Sequence, residues 1–136
     1  MYSKQLMSEV YWGFYGGKYN SREEFIQEVT EYNKELSKEW NSNETVLNCP
    51  NVTIQYSYWN NDKNNVEEID FDLEADNQSC FTAGELLFKI HNQVVDVLEE
   101  DDFRFFEGLT LWKRNRNRKN NIHFGAPLYF INQAEL

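Results

Sequence analysis

Two rows of carboxylates dominate the chemistry this chain offers. Glu68, Asp70, Asp72 and Glu74 alternate with Ile69, Phe71 and Leu73. Alternation at period two puts the four acids on one face of a strand, about 7 Å apart. Glu24, Glu28, Glu31 and Glu35 recur at helical spacing and form a second row. Rows of like charge repel themselves and suit a basic partner surface. Trp59 alternates onto the same polar face as the first row, and Asp62 follows in the adjoining loop. A tryptophan within a charged ring is a frequent binding anchor. Solvated strand edges and helices also carry acids. The pattern therefore specifies a surface and not a reaction.

Nothing else in the chain names a chemistry. His91 lies six residues after Glu85 beside an apolar stripe and reads as a buried, hydrogen-bonded histidine. His123 precedes an aromatic residue and reads as structural. Cys49 and Cys80 are distant from each other, which favours free thiols over a bridge. Two cysteines and two histidines do not make a metal-ligand set, and no nucleophile elbow or P-loop occurs. The expectation is a protein without catalytic residues, metal or cofactor. The segment 113–119 holds five bases and no acid. The remainder has 8 bases against 23 acids, a balance of −15. That balance disfavours direct nucleic-acid binding and anionic membranes.

The elements that must position these residues follow from caps and periodicity. Residues 9–15 read as an aromatic strand closed by Gly16 and Gly17. Ser21 and Glu24 have capping-box spacing, and Phe25, Val29, Tyr32, Leu36 and Trp40 continue as one helical stripe to Asn41. Val52 to Trp59 is a second strand, 60–65 a polar hairpin loop, and Ile69 to Leu73 the heart of a third strand. Thr82 caps a second helix, with Glu85 reaching back to it. Phe81 and Leu86 form a staple, and Leu87, Ile90, Val94 and Leu98 the buried face. The acids at 99–102 oppose the helix dipole and favour a stop there. Phe103 to Trp112 is a fourth strand with Gly108 as a bulge, and Pro127 to Ile131 the last. The reading is one α+β domain over 1–136: a two-layer sandwich, mainly antiparallel, with two helices on one face (β-α-β-β-α-β-β, a ferredoxin-like variant). A strongly curled sheet with the helices at one end is the other plan. With 10 Phe, 8 Tyr and 4 Trp the chain has ample core material. No apolar run reaches the length of a membrane span, and the first residues lack a signal-peptide pattern, so a cytoplasmic location is expected.

The chain resembles, by type, the small acidic immunity proteins of bacterial toxin systems, including contact-dependent growth inhibition. Its length, acidity, aromatic content and α+β pattern carry the likeness. So do the segments Phe81-Thr82-Ala83-Gly84-Glu85-Leu86-Leu87, Phe105-Phe106-Glu107-Gly108-Leu109 and Gly125-Ala126-Pro127-Leu128-Tyr129. The resemblance implies a cognate protein toxin with a basic surface, a nuclease domain above all, neutralised by stoichiometric occlusion. It carries over no individual residue. The basic segment 113–119 departs from a uniformly acidic binder. Two other readings remain open: a nucleic-acid mimic of phage origin, and a small enzyme or ligand binder using a pocket near His91. Oligomeric state is left open by the sequence.

Overall fold

A computed structural model describes residues 2–112 and 126–135. The basic segment 113–119 and His123 lie outside the described residues. In chain order the strands and helices are β1 (Gln5–Leu6), β2 (Trp12–Gly13), α1 (Arg22–Glu35), β3 (Thr45–Leu47), β4 (Asn51–Asn60), β5 (Asn65–Glu74), β6 (Phe81–Thr82), α2 (Ala83–Leu98), β7 (Phe105–Leu111) and β8 (Leu128–Ala134). The main sheet runs β1-β7-β8-β4-β5, with β2 also on β7; β4 and β8 are parallel and the other pairs antiparallel. Packed against it, α2 touches β4, while α1 touches α2 and β2. The arrangement is α+β, with a mostly antiparallel mixed sheet and two helices, as in a two-layer sandwich.

The core forms where the alternation of the strands meets the stripe of α2. Val52, Ile54 and Tyr56 of β4 share one buried cluster with Phe25, Val29, Leu86, Leu87, Ile90 and Leu98. Each such side chain contributes about 1.5–3 kcal/mol by leaving water. The strictly alternating segment behaves as expected: β5 pairs with β4 from Asn51↔Glu74 to Asn60↔Asn65 without a register shift. Thr82 caps α2, its Oγ1 accepting from the Glu85 N–H at 3.2 Å. The Glu85 carboxylate does not return to the cap. It is buried and accepts from the Asp76 N–H at 2.8 Å and from Lys89 at 2.9 Å. Two further N–H groups at this helix start donate to the backbone oxygens of Glu44 and Ser42, which is what holds the β3–β6 ribbon in place.

Three segments depart from the sequence-based expectation. Residues 9–15 do not form one strand: only Trp12 and Gly13 pair with β7. Tyr11 bonds through both backbone groups to the Asn33 side chain, while the Val10, Phe14 and Tyr15 N–H groups donate to the backbone oxygens of Met7, Arg104 and Gly13. The first helix stops at Glu35, well before Asn41. Ser37, at φ 59°, turns the chain left-handed, and the Ser37 and Lys38 N–H groups donate back to the oxygens of Lys34 and Asn33. This closing motif leaves Leu36 exposed and Trp40 outside the helix. The last strand continues past Ile131 to Ala134 because β7 pairs with it as far as Phe105↔Ala134.

Gly108 does form the bulge, with a register shift between Phe106 and Leu109 and φ 98°. A Cβ there would lie 2.7 Å from Ser8 Cα and 2.9 Å from the Leu6 oxygen. Gly108→Ala therefore combines a disfavoured dihedral with a backbone clash. It is expected to lower the unfolding free energy by about 2 kcal/mol. Urea denaturation checks this, and a loss indistinguishable from zero would show that the N-terminal segment simply moves aside.

Candidate functional site

The second acidic row becomes the wall of a groove. Glu24, Glu28, Glu31 and Glu35 of α1 line one side of a hollow of about 620 Å³. Tyr15, Tyr19 and Tyr32 line it as well. The opposite wall is the 15–20 strap, which the sequence alone does not place there. Gly16 and Gly17, at φ 87° and 81°, turn it back over α2. Two side chains of α2 then fix it. Asn92 accepts from the Tyr19 N–H and donates to the Tyr19 oxygen, both at 2.9 Å. His91 Nε2 lies 2.8 Å from the Gly17 oxygen. On the other side of the strap, Asn33 of α1 holds Tyr11 by a matching pair of bonds at 2.9 Å.

The groove is negative, and no base among the described residues is paired to its glutamates. Among the described residues the basic side chains form ion pairs with Asp76, Asp96, Glu67 and Glu85, and with none of the four groove glutamates. Lys18, on the groove rim, is turned to Asp96 at 3.3 Å. Lys38 lies over the Tyr11 ring at 5.0 Å and does not offset the row. The Tyr19 hydroxyl donates to Glu28 at 2.7 Å. Burial, and then this carboxylate, push the Tyr19 phenol well above its ordinary value, so it stays a neutral donor. Burial also raises the Tyr32 phenol. Carboxylates beside phenol rings suit a lysine or, better, an arginine. Its guanidinium pairs with carboxylates bidentately and stacks on an aromatic face.

The first acidic row lies elsewhere. Glu68, Asp70, Asp72 and Glu74 are on the β5 face opposite the core residues Ile69, Phe71 and Leu73. Two are tied internally: Asp72 accepts from Thr53 Oγ1 at 2.5 Å and Asp70 from Gln55 Nε2 at 3.0 Å. None makes an ion pair among the described residues. Trp59 shares this outer face, is 47% exposed and stands opposite Val66. With Phe103 and Gln133 these two border a second hollow of about 320 Å³. Asp62 is exposed at the hairpin tip, its N–H donating to Asn60 Oδ1 at 3.0 Å. The candidate residues thus divide between the helix layer and the outer sheet face, and the fold does not gather them into one site.

His91 is not part of a pocket. It is completely buried, with Nδ1 accepting from Trp12 Nε1 at 3.0 Å and Nε2 donating to Gly17. That removes the geometric support for a ligand site around it. Cys49 is buried and Cys80 half-buried, both free. No helix is long and apolar enough to cross a membrane. Among the described residues no cluster of three or more His, Cys, Asp or Glu side chains is placed to hold a metal. No protein-family model, curated protein or solved structure matches the chain. Fold and geometry together define an α+β protein with an aromatic, carboxylate-lined groove.

Proposed function

We propose that this protein is an inhibitor of the immunity type. It binds a cognate bacterial toxin, a basic nuclease domain, and occludes its active or substrate-binding surface in a stoichiometric complex. The observation that carries the reading is the groove: four glutamates and Tyr32 of α1 facing Tyr15 and Tyr19 of the strap, with no cation among the described residues paired to the glutamates. A body that negative attracts a basic partner at long range, with association approaching about 10⁸ M⁻¹s⁻¹ at low salt. The tyrosines slow dissociation once basic side chains enter. The complex forms in the cytoplasm. In the same proposal the elements form a β-α-β-β-α-β-β variant of the ferredoxin-like plan, in which the two-residue β2 is the first strand and β1, β3 and β6 are additions.

The test is co-purification with the product of the neighbouring gene, followed by a binding assay. Glu28→Gln combined with Glu31→Gln is expected to weaken the complex about tenfold, mainly through slower association, with an unchanged melting temperature. Undiminished binding by that folded variant removes the groove from the contact. Capture of a DNA-binding target in place of a toxin transfers the reading to a nucleic-acid mimic.

A further inference from the structure

The two edges of the main sheet are treated differently. On one side β7 is covered by β1 and β2, through Gln5↔Thr110, Leu6↔Leu109, Trp12↔Phe106 and Gly13↔Phe105. On the other, β5 pairs with β4 alone among the described residues. It is ten residues long and keeps its register throughout. Proteins usually blunt such an edge by shortening, bulging or covering it. Among the described residues only charge is used here, and all of it has one sign: Glu67, Glu68, Asp70, Asp72 and Glu74, with no base between Asn65 and Glu74. One end is closed, since Lys89 donates to the Glu74 oxygen at 2.6 Å. Among the described residues the remainder is unpaired, with Ile69 and Phe71 half-buried on the inner face.

The geometry points to the outer edge of β5 as an acceptor for an extended, basic segment of the protein partner, added as a further strand. Backbone hydrogen bonds supply the attachment. The outer-face carboxylates select the segment, because opposite charges directly across a strand pair stabilise and like charges destabilise. A second copy of β5 would place acids against acids, so the occupant is a heterologous strand. Its alternate residues are lysine or arginine on the outer face and apolar on the inner, where they cover Ile69 and Phe71. This inference rests on the reading that the protein neutralises a basic protein, and it states how one part of that protein is held.

The probe is an end-blocked ten-residue peptide of alternating Lys and Val, with a copy N-methylated at every second amide as control. Hydrogen exchange is expected to slow at the β5 amides that do not bond to β4. Methylation is expected to weaken binding by about tenfold or more. Glu68→Lys with Asp70→Lys, at two exposed positions, lowers affinity comparably. Asp70→Lys with Asp72→Lys is the second variant, expected to weaken binding in the same way. Protection over 22–35 instead of 65–74, equal binding by the methylated peptide, or no binding up to about 1 mM overturns the inference. If the neighbouring-gene toxin is captured while β5 stays unprotected, the edge inference falls and the inhibitor reading stands. If β5 takes the peptide and no toxin is captured, the inhibitor reading falls alone.

Discussion

Asn33→Leu is expected to lower the unfolding free energy by about 3 kcal/mol, although leucine is close to asparagine in size and suits a helix better. Asn33 is completely buried on α1. Its Oδ1 accepts from the Tyr11 N–H, and its Nδ2 donates to the oxygens of Tyr11 and Val29. Leucine strands both Tyr11 groups. Each buried polar group without a partner costs about 1–3 kcal/mol, so two span about 2–6, and because Tyr11 is only half-buried the sum falls in the lower half of that span. The midpoint of a urea titration should fall with its slope unchanged. A loss below about 1 kcal/mol would mean that water replaces the amide at both Tyr11 groups. Partner binding should weaken as well, because Tyr11 anchors the strap that forms the groove wall.

The same device appears three times. Asn33 holds Tyr11, Asn92 holds Tyr19, and Gln133 accepts from the Ser57 N–H at 2.8 Å while donating to the Ser57 oxygen at 2.9 Å. In each case a side-chain amide satisfies both backbone groups of one residue where no neighbouring strand does so. Asp101 extends the pattern, accepting from the Trp59 N–H at 2.8 Å where β8 no longer flanks β4. This is the role taken by part of the acidic run after α2, a run that from sequence alone served only to stop the helix.

These clamps explain which parts of the molecule were legible beforehand. The β4–β5 hairpin and the Thr82 cap rest on contacts between near neighbours in sequence, and the residue pattern records them; the Gly108 bulge packs against distant Leu6 and Ser8, but a glycine inside a strand pattern marks it by itself. The 15–20 strap and the Tyr11 segment leading into it rest on partners 73 and 22 positions away, which leave no period to read. An asparagine at 33, falling on the buried stripe of Phe25 and Val29, was the one available signal. The acidic row of α1 was visible as a row. That it becomes a groove depends on Tyr15 and Tyr19, delivered from the strap. The division of the acids between two layers was equally hidden, because helical spacing and strand alternation each define a face without saying where it points.

Stability is expected to fall as pH drops below about 6.5, and His91→Leu is expected to abolish that slope while costing about 3 kcal/mol at pH 7.5. Burial lowers the His91 pKa, outweighing the Gly17 hydrogen bond and Glu99, which act in the opposite direction. The unfolded chain therefore takes up this proton first. Below the unfolded value of 6.5 it binds more protons than the native state, so the stabilisation is complete above 6.5 and declines as pH falls towards the folded value. The slope cannot exceed about 1.4 kcal/mol per pH unit for one group. Asp76 does not confuse the window. Lys89 and Arg22 hold its carboxyl below 3.8, so its contribution is lost only as pH falls below that value. The structural reason is that a proton on Nδ1 would face the Trp12 indole N–H it now accepts from. Leucine removes the titration but strands that N–H and the Gly17 oxygen. Urea titrations of both proteins between pH 7.5 and 5.5 separate the effects. A flat wild-type profile, or the same slope in the variant, would locate the proton elsewhere. Because His91 also holds Gly17 against α2, the groove wall should loosen in the same window.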